Sequence, residues 1–267
     1  MRLSLSTNWC NRRMESGEEI ADKAIELGFS ELELGFHTTM QQIAGFKSRL
    51  DRIPVGSVHA FCPVPISAPQ GYPELYQLAD VDDEGRAMAR LQVLRNIKFA
   101  ADMGADSVVL HAGRVMCLGF LRRFDLRRRV RRGKARIDVF RRELDGLVPE
   151  LEKFKVRLGL ENLPYMEGFP AEWEMESVCG DWVQPWFDTG HDFVIKASRK
   201  RALGMHLNDS VGGDDHLVPG SGKVDFKSLT ELAKSSRHLV FEPNASVTES
   251  ELREGLSYIR KLWEFTS

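Results

Sequence analysis

The chain has 267 residues, a net charge of −2 at pH 7 and 42% hydrophobic residues, a composition typical of water-soluble globular proteins. No apolar run approaches the roughly 20 residues of a membrane span, and the first residues lack the apolar core of a signal peptide. The four cysteines are far apart and form no CxxC pair, which favours reduced thiols over a disulfide framework. The composition therefore argues against the membrane and disulfide-scaffold classes and predicts a cytoplasmic protein.

In the first half of the chain, short apolar strand signals alternate with amphipathic helix signals. The predicted strands cover 2–7, 31–34, 55–60 and 106–113, and the predicted helices cover 18–27, 40–50 and 84–103. A proline-rich stretch over 61–80 separates the third strand from the third helix. Long loops of this kind in compact domains are usually binding loops or active-site lids.

The second half of the chain repeats this alternation after a basic segment. Residues 122–142, the arginine-rich segment, hold eleven Arg or Lys and two Asp. Helices are predicted over 137–154 (broken near Pro149), 226–234 and 249–265, and strands over 156–162, 183–191, 203–209 and 238–244. Eight strands alternating with helices indicate a parallel sheet. The sequence therefore predicts an α/β fold, a (β/α)8 TIM barrel forming a single domain over 1–267, with its active site at the C-terminal ends of the strands.

The last six predicted strands each end at a side chain of metal-ligand type. These residues are His59, His111, Glu161, Asp188, His206 and Glu242. The C-terminal ends of barrel strands converge on one face, so we expect these side chains to lie together. Imidazole and carboxylate ligands suit zinc, manganese or iron. A structural hydrogen bond is the simpler explanation for any one histidine, but six such strand ends favour a metal centre.

The stretch 204–222 adds further candidate ligands in a glycine-rich loop. Beyond His206 it contains Asp209, Asp214, Asp215 and His216. The simpler alternative is a polar turn in which Asp and Asn side chains bond to their own backbone. The Gly-Ser-Gly turn at 220–222 is not followed by the Lys-Ser/Thr pair of a P-loop, so a nucleotide site of that kind is not predicted.

Seven segments of the chain resemble the metal-binding segments of the xylose-isomerase-like TIM barrels (AP endonuclease family 2). In order along the chain, they read SVHA, VVLHAG, LGLENLP, FDTGH, MHLND, DDH and VFEPN. The resemblance implies a divalent metal at the mouth of the barrel. In the sugar isomerase and epimerase branch it implies a single Mn, Mg or Co ion held by Glu161, Asp188, His206 and Glu242. There Glu161 and Glu242 would exchange a proton at the carbon beside a sugar carbonyl.

The endonuclease IV branch of that superfamily is closest in ligand pattern, and it implies three zinc ions. The first would be bound by His59, His111 and Glu161, and the second by Glu161, Asp188, His206 and Glu242. The third would be bound by His191, Asp214 and His216. Because the chain matches all nine positions, the expected function is a metal-dependent phosphoric ester hydrolase with catalytic Glu161 and Glu242. Zinc would lower the pKa of the attacking water and neutralise the phosphate oxygens.

The expected substrate of this hydrolase is a small anionic or nucleotide-like phosphoester, with the cobamide nucleotide loop and abasic-site DNA as candidates. Substrate contacts are assigned to His37, Phe61, Arg127 and Arg128. Basic residues attract anionic substrates, although a charge run is often only a solvated surface. The chain is acidic outside the arginine-rich segment, which is unfavourable for duplex binding. The alternatives are a single-metal sugar isomerase or epimerase and a metal-binding protein without catalysis.

Overall fold

The computed structural model describes residues 2–115, 128–164, 168–191, 201–213 and 216–264. Its strands in chain order are β1 (Ser4–Ser6), β2 (Glu31–Leu34), β3 (Val55–His59), β4 (Ser107–Leu110), β5 (Gly113–Val115), β6 (Arg128–Val130), β7 (Arg157–Glu161), β8 (Gly168–Phe169), β9 (Val183–Asp188), β10 (Gly204–His206) and β11 (His238–Phe241). Eight of these strands run parallel in a closed barrel, in the order β1-β11-β10-β9-β7-β4-β3-β2. The predicted (β/α)8 TIM barrel is confirmed.

The helices in chain order are α1 (Gly17–Leu27), α2 (Met40–Lys47), α3 (Asp83–Asp102), α4 (Lys134–Asp145), α5 (Val148–Phe154), α6 (Glu172–Val178), α7 (Thr230–Ser235) and α8 (Glu249–Leu262). Their ends follow local sequence signals. The Ser16 side chain caps α1 by accepting from the backbone N–H of Glu18, and Gly28, with a φ of 97°, ends that helix. Thr248 and Glu251 form a capping box at the start of α8. In the part of the chain that the structure describes, no helix has the length and apolar character needed to cross a membrane.

The barrel strands alternate between side chains inside the barrel and side chains packed against the helices. A small apolar layer fills the barrel interior and consists of Val109, Trp186, Leu203 and Val240. Trp186 on β9 separates two buried histidines. Its ring lies 5.3 Å from that of His206, at the C-terminal end of β10, and 5.6 Å from that of His238, at the start of β11. The interior therefore has two polar ends and an apolar middle.

The break predicted near Pro149 is present, because α4 ends before Gly146 and Pro149 occupies the first turn of α5, where a missing N–H costs no helical hydrogen bond. Other elements differ from the sequence-based prediction. The helix predicted from 226 begins only at Thr230. A small sheet of β5, β6 and β8 was not predicted. Because β5 closely follows β4, this sheet lies at the C-terminal end of the barrel, and β6 belongs to the arginine-rich segment.

Candidate metal centre

The six ligand-type residues predicted at strand ends meet at the C-terminal mouth of the barrel. Four are the last residues of their strands: His59, Glu161, Asp188 and His206. The other two directly follow a strand: His111 follows β4 and Glu242 follows β11. All six are buried. Four of these residues form a compact group: Glu161, Asp188, His206 and Glu242. Each offers one ligand atom, and these four atoms all lie within 4.8 Å of one another. These four could hold a single metal ion, and the same spacing is met by the group predicted for the first zinc ion, His59, His111 and Glu161.

Glu161 is at the centre of the cluster, because its two carboxylate oxygens face different imidazoles. Oε2 lies 3.1 Å from His59 Nε2 and 3.0 Å from His111 Nε2. Oε1 lies 3.2 Å from His206 Nδ1 and 3.7 Å from His191 Nδ1. A carboxylate accepts at both oxygens, so one oxygen can bind a cation while the other is held by protonated imidazoles.

His206 Nδ1 faces three carboxylates, two of them at the spacing expected of ligands around one ion and the third slightly farther away. It lies 3.2 Å from Glu161 Oε1, 3.3 Å from Glu242 Oε2 and 3.8 Å from Asp188 Oδ2. Because metal–N and metal–O bonds are about 2.0–2.2 Å long, neighbouring ligands of one ion are about 3.0–3.6 Å apart. Nδ1 forms no hydrogen bond with a described residue. The donor set therefore fits a divalent ion held by one imidazole and three carboxylates.

In the part of the chain that the structure describes, no lysine or arginine balances the negative charge at this mouth. Four buried carboxylates lie here, those of Glu33, Glu161, Asp188 and Glu242. Over the described ranges, no Lys or Arg forms an ion pair with any of them. The amide nitrogen of Asn8 donates to Glu242 and that of Asn208 to Asp188, but neutral amides do not offset charge. Because buried charges are stable only when paired or bound to metal, the arrangement favours a cation.

The same charge distribution perturbs the histidines. Burial alone would lower the pKa of His206, but the neighbouring carboxylates, Glu242 foremost, raise it well above its ordinary value. Burial would also lower the pKa of His111, but Glu161 and Glu74 raise it to about 10. Burial would raise the pKa of Glu161, yet the charges of His206 and His111 hold it well below its ordinary value. A metal ion would compete with these protons, because a ligating imidazole must be neutral.

Glu74, which the sequence analysis did not single out, reaches the cluster from the proline-rich loop. Its Oε1 accepts from His111 Nδ1 at 2.9 Å and from Arg114 Nε at 2.8 Å. Burial would raise the pKa of Glu74, but these two partners hold it at about 2. Glu74 therefore orients His111 so that Nε2 points to Glu161. The loop length indicated a functional segment, but nothing in its composition distinguished this glutamate.

Glu33 is the second residue that the sequence analysis missed. It is fully buried, and both of its carboxylate oxygens lie 3.2 Å from His206 Nε2. In the sequence it is one of two glutamates that alternate with leucine on β2, a pattern that normally indicates a solvated strand face. Here the glutamates point into the barrel instead.

The group predicted to bind a third zinc ion is only partly described. Ligand atoms of Asp188, His191 and His216 lie within 4.8 Å of one another. The His191 and His216 rings pack edge to face with centroids 5.5 Å apart. Asp214, the remaining predicted ligand of this group, lies outside the described residues, as does Asp215.

A cavity of about 270 Å³ opens over the cluster. Its walls include Glu161 and Glu242 together with Arg12, His37 and the 71–74 turn of the proline-rich loop. This volume is just below the range of about 300–1,000 Å³ typical of drug-sized ligands. The cavity therefore suits a small polar molecule of monosaccharide size.

The predicted substrate contacts have different outcomes. His37 lines the cavity, and burial together with the charge of Arg12 lowers its pKa to about 4, so it is a neutral hydrogen-bonding group. Phe61 does not line the cavity, contrary to the prediction. It is 1% exposed and packs edge to face on Tyr76, because its apolar ring gains more from the core than from a wet cavity. Arg127 and the side chain of Arg128 lie outside the described residues.

Described arginines of the arginine-rich segment bind other protein groups. Arg132 Nη2 donates to the carbonyl of Gly168, and Arg136 Nη1 donates to the carbonyl of Asp80. Arg129 lies 3.5 Å from the Asp80 carboxylate. These contacts attach the segment to the rest of the protein, which is a structural use of its charge.

Asp209, a candidate ligand from the glycine-rich loop, organises that loop instead. Its carboxylate accepts four backbone N–H groups, those of Ser210, Gly220, Gly222 and Val224. A Cβ at Gly222 would clash with the Asp209 carboxylate, so glycine is required at this position. The structure supports the polar-turn explanation for Asp209, because its lone pairs are already used.

Solved structures with this fold include several sugar epimerases. A D-tagatose 3-epimerase-like protein is 18% identical, with a TM-score of 0.70 over 99% of this chain and 97% of that one. D-psicose 3-epimerase from Clostridium cellulolyticum H10 is 15% identical, with a TM-score of 0.72 over 98% and 99%. The 3-keto-D-glucoside 4-epimerase from E. coli is 17% identical, with a TM-score of 0.72 over 98% and 99%. No curated protein sequence matches the chain.

These similarities correct the function expected from the sequence. The prediction of a phosphoric ester hydrolase is wrong, because these three neighbours, which align over nearly the whole chain, are an epimerase-like protein and two sugar epimerases. The endonuclease IV family is not confirmed as the closest relative, and neither three zinc ions nor DNA binding is supported. His191 Nδ1 lies 2.9 Å from the Asn162 carbonyl and His216 Nδ1 lies 2.9 Å from the Glu242 carbonyl, and these contacts orient the two rings.

The family assignment rests on most of the chain. A family model described as xylose isomerase-like TIM barrel matches residues 21–262. The matched range begins within α1, ends at the last residue of α8 and includes all six residues of the cluster. The chain belongs to the xylose isomerase-like TIM barrel family.

Proposed function

We propose that this protein is a metal-dependent sugar epimerase or isomerase that moves a proton at the carbon beside a sugar carbonyl. The observation that carries the proposal is the pair of cavity-lining carboxylates, Glu161 and Glu242, which lie 3.2 Å and 3.3 Å from His206 Nδ1. The likeness to solved sugar epimerases supports this reaction class. We also propose that residues 1–267 act as one catalytic domain.

The metal would be held by Glu161, Asp188, His206 and Glu242. Three carboxylates and one imidazole form a mostly hard donor set, which favours Mn²⁺ or Co²⁺ over metals that require sulfur ligands. When bound, the ion would polarise the sugar carbonyl and so acidify the neighbouring C–H.

Glu161 and Glu242 would act as the acid–base pair. One carboxylate takes the proton from the carbon beside the carbonyl, and the other returns a proton to the opposite face, which inverts that carbon. Asn8 Nδ2 donates to Glu242 Oε1 at 3.0 Å and fixes this carboxylate, while His59 and His111 fix Glu161 through its Oε2. Neutral His37 would contribute a hydrogen bond to a sugar hydroxyl.

The test uses a panel of ketoses and aldoses incubated in D₂O with the Mn²⁺-loaded protein and followed by NMR. We expect deuterium to appear at the carbon beside the carbonyl together with the product sugar. Glu161→Gln and Glu242→Gln should each reduce turnover by about 10²–10⁴-fold, the usual contribution of a general acid or base. The control is Glu31→Gln, which changes a buried carboxylate at the other end of the barrel.

The single variants also test the two-base assignment. For an epimerase, each remaining carboxylate can exchange the proton of only the epimer that presents its C–H to that side. Glu161→Gln and Glu242→Gln should therefore incorporate deuterium into opposite epimers. A metal-loaded wild type that neither interconverts nor deuterates any sugar would overturn the proposal, as would full turnover in both variants.

A further inference from the structure

Glu33 is a buried carboxylate that the proposed proton transfer does not use. The register of β2 and β3 pairs Glu33 with Ser57. Ser57 Oγ donates to Glu33 Oε2 at 2.8 Å, and both Glu33 oxygens lie 3.2 Å from His206 Nε2. In the described ranges, its only ion-pair partner is this imidazole. Because a buried carboxylate is costly, its contact with His206 must offset the loss of hydration.

This contact determines which nitrogen of His206 carries the proton. A carboxylate only accepts hydrogen bonds, so His206 Nε2–H donates to Glu33. In the neutral imidazole the other nitrogen, Nδ1, then has a free lone pair. Among the described residues, Nδ1 has no hydrogen-bond partner, and it faces the carboxylates of Glu161 and Glu242. A lone pair opposite carboxylates is stable only with a proton or a metal ion between them.

We propose that Glu33 is a positioning residue for the metal centre, holding His206 in the Nε2–H tautomer and in the ring orientation that presents Nδ1 to the ion. This inference rests on the metal-dependent function proposed above, but it does not depend on which sugar is the substrate. Metal-binding histidines almost always donate their second N–H to a carboxylate, carbonyl or water, and losing that partner typically reduces metal affinity by about 10–100-fold.

Glu31 provides a matched control two residues earlier on the same strand. It is buried like Glu33 and points to the same side of β2, because strand side chains alternate. It also faces a histidine, with Oε2 lying 3.6 Å from His238 Nδ1. Unlike Glu33, it has an arginine partner, Arg2, and it is the first residue of β2, on the N-terminal side of Glu33.

The experiment measures the Mn²⁺ dissociation constant by the EPR signal of free Mn²⁺ for wild type, Glu33→Gln and Glu31→Gln. Glutamine can offer either a donor or an acceptor to Nε2, so it no longer enforces the tautomer. Glu33→Gln should raise the dissociation constant by about 10–100-fold, while Glu31→Gln should leave it unchanged. The Tm of the metal-free proteins shows whether each variant is folded. Ser57→Ala, which removes only the hydroxyl that holds Glu33, should shift affinity in the same direction by less.

A second readout separates positioning from general destabilisation. The visible absorption of Co²⁺ in the site reports ligand geometry, and it should change in Glu33→Gln but not in Glu31→Gln. Wild-type affinity in both Glu33→Gln and Ser57→Ala would overturn the inference. An affinity loss in Glu33→Gln as large as that in Asp188→Asn would also overturn it, because Glu33 would then be a ligand. A wild type that binds Mn²⁺ with the expected variant pattern but converts no sugar would refute only the proposed function.

Discussion

The two ends of the barrel interior each contain a buried histidine among carboxylates, but they balance charge in different ways. At the N-terminal end, His238 Nε2 lies 2.9 Å from Asp106 Oδ1, and Asp106 is also paired with Arg237. Glu31 at the same end lies 3.4 Å from Arg2. Each of these carboxylates thus has an arginine partner.

At the C-terminal mouth, by contrast, His206 lies among Glu33, Glu161 and Glu242, and no described Lys or Arg reaches these carboxylates. Similar residue types therefore have different consequences. Where arginines complete the charge balance, the cluster is a structural ion-pair network. Where they do not, the cluster favours a metal ion, at the end of the barrel where TIM-barrel active sites lie.

The largest expected effect comes from the apolar layer that separates the two ends. Trp186 is fully buried between His206 and His238, so Trp186→Ala should reduce the free energy of unfolding by about 3–5 kcal/mol. Trp173, which is 65% exposed, is the control. Trp173→Ala should change the free energy of unfolding by less than about 0.5 kcal/mol. Urea unfolding measures both. Equal losses in the two variants would contradict the layered interior.

The second prediction exchanges one aspartate at each end. Asp188→Asn should reduce turnover by on the order of a hundredfold or more, the usual cost of losing one preorganised electrostatic contact. Asp106→Asn should lower Tm and leave turnover of the folded enzyme unchanged, because its partners are His238 and Arg237. Steady-state rates on the best sugar of the panel, with saturating Mn²⁺, provide the measurement. If Asp106→Asn were the inactive variant, the two ends would have been assigned the wrong way round.

The third prediction concerns metal addition. An ion that binds only the folded protein stabilises it by about 2.7 kcal/mol when its concentration is a hundredfold above the dissociation constant. Mn²⁺ should therefore raise the Tm of wild type and of His238→Gln. The rise in the Tm of Asp188→Asn should be much smaller, because this variant lacks one of the proposed ligands. Differential scanning calorimetry with and without a chelator tests this. The same metal-dependent rise in Asp188→Asn would locate the ion elsewhere.

The smallest effect is a pH dependence at the N-terminal end. Burial would lower the pKa of His238, but hydrogen bonds with Asp106 and Glu31 raise it above the ordinary value of 6.5. Because the pKa is higher in the folded state, its stabilising contribution is complete below pH 6.5 and is lost as the pH rises through the folded-state pKa. Asp106 has a lowered pKa, so its contribution is lost only in acid. Between pH 6 and 9, Tm should fall less steeply in His238→Gln than in wild type, and parallel profiles would contradict this.

The fold was predictable from the sequence because its determinants are local. Apolar strand runs alternate with helical periodicity, and helix ends carry their own caps and glycines, such as Ser16 and Gly28. The residues at strand ends were predictable for the same reason, since β3 ends at His59 and β9 ends at Asp188. A barrel necessarily brings such ends together, so one fold prediction also predicted the cluster.

Tertiary structure alone decided which partners these residues have. Glu33 is 173 positions from His206, and Glu74 is 37 positions from His111, so no local pattern indicates either contact. Asp188 and Asp209 are the same residue type in neighbouring segments, yet one joins the cluster and the other binds four backbone N–H groups. The sequence by itself determined the barrel and the residue types at its mouth, because strand order brings those ends together. The three-dimensional packing decided the charge balance, because that depends on which arginines and carboxylates meet across the barrel.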